Sequence, residues 1–116
     1  MTIKRIDVGP RMSQAVIHNG VVYLAGQVAQ NSKGGTVREQ TSDILERIDA
    51  LLAQAGTDKS KLLTANIWLS DMATFSEMNS VWDAWVAEQC TPARATVEAR
   101  LASPEFTVEI MVAAAL

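Results

Sequence analysis

The chain has 116 residues, of which 48% are apolar and 20% charged. That length supports one core and a single domain over residues 1–116, and the composition excludes a disordered chain. A net charge of −3 argues against a phosphate-backbone partner, while one histidine, His18, and one cysteine, Cys90, exclude a multi-histidine zinc site and an intrachain disulfide.

Ile3–Ile6 reads as a short opening strand. Ala15–His18 and Val21–Ala25 follow as strand-like runs split by Asn19-Gly20, the strongest short hairpin signal. Thr36–Ala55 reads as a helix. Ile44, Leu45, Ile48, Leu51, Leu52 and Ala55 recur at helical spacing, and Gly56 supplies a stop. Glu39, Asp43, Glu46 and Asp49 fall largely off that stripe, on a solvated face. Leu62–Leu69 alternates as a strand, with Ala65, Ile67 and Leu69 on one face and Thr64, Asn66 and Trp68 on the other. Thr74-x-x-Glu77 has the form of a capping box ahead of a second helix that reaches about Glu88. Its stripe is Phe75, Met78, Trp82, Trp85 and Val86, and core packing is the reading for those aromatics.

Ala93–Leu101 and Thr107–Leu116 read as two strands joined through Ser103-Pro104-Glu105. In the first, Ala95, Val97, Ala99 and Leu101 share one face, and Arg94, Thr96, Glu98 and Arg100 share the other. In the second, Val108, Ile110, Val112 and Ala114 face the core. Glu109, Met111, Ala113 and Ala115 form a second face too apolar to be simply solvated. The order ββ-α-β-α-ββ predicts an α+β sandwich with two helices on one face of a mixed sheet. The opposite face is free to meet another subunit.

Chemistry concentrates on that second face. Arg94 and Glu109 are expected there on neighbouring strands, among small and apolar side chains. An arginine so placed can hold a carboxylate in a bidentate fork. A partly desolvated glutamate can carry a raised pKa and handle a proton or a water. The same two residues also read as an ion pair across the sheet or an interface, and Glu98 and Arg100 compete for the same roles. Asn79 lies four residues after Phe75 and three before Trp82, towards the buried side of its helix. It serves either a site or a bond to a nearby loop. His18, beside the Asn19-Gly20 turn, reads as structural, as does Cys90, whose sole imidazole partner would be His18. No Walker loop and no Gly-x-Gly-x-x-Gly occurs. The opening residues carry no apolar leader core, so no secretory leader is expected, and no apolar run approaches the ~20 residues of a membrane span. Cysteine usage makes a reducing compartment, the cytoplasm, the expected location.

These residues lie in motifs that resemble the RidA family, the YjgF-type reactive-intermediate deaminases, along nearly the whole chain. Ser13-Gln14-Ala15-Val16 with Val22-Tyr23-Leu24-Ala25-Gly26-Gln27-Val28 resembles the family's Ser-Gln-Ala and Ser-Gly-Gln segments. Asp71–Trp82, with Phe75 and Asn79, resembles its Asp-x-x-x-Phe-x-x-x-Asn helix start. Pro92-Ala93-Arg94-Ala95-Thr96-Val97-Glu98 resembles its diagnostic Pro-Ala-Arg-x-x-Val-Glu, and Val108-Glu109-Ile110 its closing strand. The resemblance implies a chorismate-mutase-like fold and homotrimers with clefts between subunits. It implies hydrolysis of reactive 2-imino and 2-enamino acids to 2-oxo acids and ammonia, the activity of a 2-iminobutanoate/2-iminopropanoate deaminase, with neither metal nor organic cofactor. On that resemblance Arg94 clamps the substrate carboxylate, assisted by the backbone at Gly26. Glu109 holds the attacking water and manages its proton, and Asn79 lines the cleft. Thr96 stands where many members have cysteine.

Two positions depart from the family pattern. Met12 stands where many members carry tyrosine, and Ala25 where many carry serine, so the cleft becomes more apolar. Arg11, beside Met12, reads as a surface charge or as a modifier of the cleft mouth. These departures motivate an alternative of a different class: a non-catalytic module that binds small carboxylates and regulates a partner. Ribonuclease activity, a label attached to some relatives, fits poorly with the negative charge, one tyrosine and no basic stripe. Neither a nucleic-acid nor a membrane partner is expected.

Overall fold

Local turn chemistry sets the N-terminal third. β1 (Lys4–Val8), β2 (Ser13–His18) and β3 (Val21–Leu24) form an antiparallel meander in a computed structural model that describes residues 2–116. The Asn19-Gly20 turn takes positive φ at both residues, 52° and 77°. That is the turn geometry whose twist suits a two-residue hairpin. A two-residue strand, β4 (Gln27–Val28), follows.

α1 (Val37–Ala55) opens on a capping box that the sequence reading does not single out. Glu39 N–H donates to Thr36 Oγ1 at 3.1 Å, and Thr36 N–H donates to Glu39 Oε1 at 3.0 Å. Gly56 ends the helix in the left-handed region, at φ 91°. Ile44, Leu45, Ile48, Leu51 and Leu52 are buried, as their spacing predicts. The box expected at Thr74 and Glu77 does not form. Asp71 instead caps a single 3-10 turn, Met72–Thr74, and the Thr74 hydroxyl donates to the Asp71 carbonyl. The Glu77 carboxylate turns away and accepts the Arg38 N–H of α1 at 2.9 Å, one of the donors a first helical turn leaves free. α2 (Phe75–Trp85) ends at Trp85, short of Glu88.

One mixed sheet carries all the strands. Its order is β1-β2-β3-β7-β5-β6, with β5 (Leu62–Leu69), β6 (Ala93–Glu98), β7 (Val108–Ala115) and β4 added beside β7. β7 runs antiparallel to both β3 and β5, whereas β5 and β6 are parallel and α2 makes the crossover between them. Both helices cover one face. There Ala65, Ile67 and Leu69 of β5 join Val108, Ile110, Val112 and Ala114 of β7 in the core. Among the described residues no helix is long and apolar enough to cross a membrane.

Two expectations for the C-terminal third are corrected. β6 and β7 are not neighbours, because β5 lies between them, and residues 99–107 form a loop outside the strands. The alternation within β6 is real, but its faces are exchanged. Arg94 and Thr96 pair with Ala65 and Ile67 on the helix side, while Ala95 and Val97 face away and Val97 is half exposed. On an edge strand the more apolar face is a poor guide to the core, since the helix side is only partly covered. The aromatic side chains of α2 receive Arg94 there.

Candidate functional site

Arg94 stands on the edge strand and meets α2. Its Nη1 donates to Asn79 Oδ1 at 2.9 Å. Its guanidinium carbon lies 5.3 Å from the centroid of the Trp82 ring and 5.8 Å from that of Phe75. Phe75, Asn79 and Trp82 occupy positions i, i+4 and i+7, one stripe of α2. The expected loop bond of Asn79 is therefore a bond to a strand. Trp82 is buried as expected, but Phe75 is 38% exposed beside the guanidinium. Arg94 has no carboxylate partner among the described residues. The ion pair found there is Arg47–Asp43, at 3.2 Å.

Glu109 sits on β7 opposite Trp68 of β5 and Val28 of β4. It is half buried, and the loss of water around its charged form raises its pKa above the ordinary glutamate value. Gly26 makes room for it. A Cβ at Gly26 would collide with Glu109 Oε2, so the absence of a side chain lets the carboxylate rest against the backbone. Gln27 holds this segment, a role that sequence reasoning missed although the residue belongs to the motif. It is buried, and its Nε2 donates to Gln14 Oε1 at 2.9 Å and to the Ala25 carbonyl at 3.0 Å. Ala25 N–H returns a bond to the Gln14 carbonyl. Met12 and Gly26 share the wall of an open cleft of about 530 Å³ with Gln14, Val28 and Arg47.

The register shows which of these residues can meet. Arg94 pairs with Ala65, Glu109 pairs with Trp68, and Ala65 and Trp68 point to opposite faces of β5. Within one chain the two side chains therefore project from opposite faces. This corrects the expectation of a shared face and excludes an ion pair between them inside one chain. Thr96 shares the Arg94 face, and its Oγ1 is buried without a partner among the described residues. Glu98 is occupied structurally, since its Oε1 accepts the Met72 N–H at 2.9 Å. Arg100 lies beyond the end of β6 and is exposed.

The family model described as Endoribonuclease L-PSP matches residues 2–116. The RutC family protein YoaB of Escherichia coli strain K12 is 45% identical over the full length of both chains. The chain belongs to the RutC/YjgF family. A further RutC family protein, from Haemophilus ducreyi, is 46% identical over 98% of this chain and 97% of its own. The crystal structure of a YjgF-family protein from Neisseria meningitidis matches with a TM-score of 0.95 and 51% identity, over 99% of this chain and 95% of that one. A protein of the Rid family from Yersinia pestis matches at 0.84 and 30%, over 94% and 90%. The α+β architecture is accordingly the chorismate-mutase-like fold of this RutC/YjgF family.

Proposed function

We propose that this RutC/YjgF-family chain hydrolyses reactive 2-imino and 2-enamino acids to 2-oxo acids and ammonia. Arg94 carries the reading: a cation oriented by Asn79 and two rings, with no carboxylate of its own among the described residues. Such a group takes the α-carboxylate of a small substrate through paired N–H donors. Glu109 supplies the second half. Its desolvated carboxylate accepts a proton from water as the oxygen attacks the iminium carbon, then returns it to the departing nitrogen. The carbon is already electrophilic, so positioning and one proton carrier suffice. The C–O bond forms, the C–N bond breaks as the carbinolamine hydroxyl gives its remaining proton to Glu109, and a 2-oxo acid and ammonia leave.

Because Arg94 and Glu109 project from opposite faces, this chemistry needs a second copy of the chain. The Arg94 edge of one subunit meets the Glu109 face of the next, and a ring of three subunits closes that contact with three equivalent clefts. Exposed Tyr23, Val97 and Met111 on the uncovered face suit such burial. Asn79 lines the cleft by holding Arg94, with Thr96 on the same face. Gly26 stands beside Glu109, and on this reading Met12 and Ala25 make the substrate's surroundings more apolar than tyrosine and serine would. A cytoplasmic setting, where imines arise from amino-acid metabolism, fits this role.

An amino-acid oxidase that generates imines in situ, with semicarbazide as the competing trap, tests the reading. Diversion of imine to 2-oxo acid faster than water achieves, and lost in Arg94→Ala, is the expected result. No diversion of any imine by the folded oligomer overturns it. Calorimetric binding of a 2-oxo acid would then favour the carboxylate-binding module.

A further inference from the structure

We propose that Trp82 and Phe75 are positioning residues, an aromatic shelf that orients the Arg94 guanidinium for a carboxylate. The proposal rests on the reading of Arg94 as a carboxylate clamp and adds what aims it. A free arginine on an edge strand carries several rotatable bonds, and ordering it on binding costs affinity. Here contacts within the chain supply that order. The guanidinium carbon stands 5.3 Å and 5.8 Å from two ring centroids, within the range of cation–π attraction. Asn79 takes one N–H from the side. A guanidinium has five N–H donors, and the rest make no other side-chain or ion-pair contact among the described residues. Ring faces hold the cation without consuming donors, which a carboxylate partner would do.

The shelf is itself braced. Trp82 is 4% exposed, so the core sets its place. Trp85 packs against it, with ring centroids 5.4 Å apart and planes tilted by 52°. Trp85 Nε1 donates to Asp49 of α1 at 2.9 Å, and the Lys59 ammonium lies 5.1 Å from the Trp85 ring. A path of contacts thus runs from α1 through two indoles to Arg94. Phe75, at the exposed end, closes the stripe.

The test uses the full chain with ¹⁵N-labelled arginine, the Arg94 Nε–H signal being assigned by its loss in Arg94→Lys. Trp82→Phe, Trp82→Leu and Phe75→Leu are compared with the parent. In Trp82→Phe, which keeps a ring, the signal and kinetics stay near those of the parent. In Trp82→Leu the signal moves to the position of a mobile arginine, and KM for imino acids rises about tenfold with kcat little changed. Inhibition by 2-oxobutanoate weakens in parallel, while inhibition by 2-oxobutanamide, which lacks the charge, does not. Phe75→Leu shows the same pattern at smaller size and spares the core, so it decides the matter if Trp82→Leu fails to fold. A parental Arg94 signal and a parental preference for carboxylate over amide in the folded leucine variants overturn the shelf. A parent that hydrolyses no imine, yet whose Arg94 signal responds to Trp82→Leu, overturns the deaminase reading and leaves the shelf standing.

Discussion

Around Arg94 the contacts come from side chains of α2, namely Asn79, Trp82 and Phe75; around Glu109 the close approach is the bare backbone of Gly26. The first arrangement orients a charge. The second crowds a charge and makes it easier to neutralise. Substitutions on the α2 side should therefore disturb geometry and recognition. Substitutions on the β7 side should disturb protonation, with little effect on how substrate is held.

Arg94→Ala is the harshest way to break this contrast. It should reduce 2-oxo acid release to the rate in water, a loss of about a hundredfold or more, while size-exclusion chromatography still shows the oligomer. Glu109→Gln should cost about a hundredfold in kcat with KM little changed. Its pH behaviour sharpens the test. A carboxyl whose folded-state pKa is raised contributes stability below its unfolded pKa and loses it as pH rises through the folded value. The glutamine variant should therefore gain in melting temperature over the parent from acid towards neutral pH, by a small margin because the group is partly exposed. The parent's acid limb of activity should lie above the ordinary glutamate pKa of about 4.3.

Gly26→Ala comes next. The new Cβ meets the free end of a flexible side chain, so the carboxylate swings aside and the fold is retained. Activity should fall by about tenfold to a hundredfold, with a melting temperature close to the parent's. Asn79→Ala is the mildest. It removes one acceptor from Arg94 and should raise KM about fivefold, the equivalent of one net hydrogen bond, with kcat nearly unchanged.

The sequence made the hairpin, α1 and the faces of β5 and β7 legible because their signals are local: Asn19-Gly20, the apolar stripe ending at Gly56, and strict alternation. Four motifs make Arg94, Glu109, Gly26 and Asn79 candidates. Their spatial relation was not legible. It depends on β7 entering between β3 and β5, a pairing that no short window encodes. The faces of β6 were misread for a related reason, since alternation tells which residues agree but not which side a helix will cover. At Thr74 the local rule met a competitor: Asp71 offers the shorter cap, and Glu77 finds a better donor at Arg38. Gln27 escaped notice because burial of a glutamine is invisible without the fold.

The central place of β7 has a kinetic consequence. The β1–β3 meander and the β5–α2–β6 unit share no ladder of hydrogen bonds with each other until residues 108–115 are laid between them. The strand that follows every other in the chain is the one that joins the two halves, so sheet closure waits on contacts of long sequence separation, the slow kind. During synthesis the ribosome must release β7 before the sheet can close. Glu109 travels on that strand, so this carboxylate arrives with the keystone.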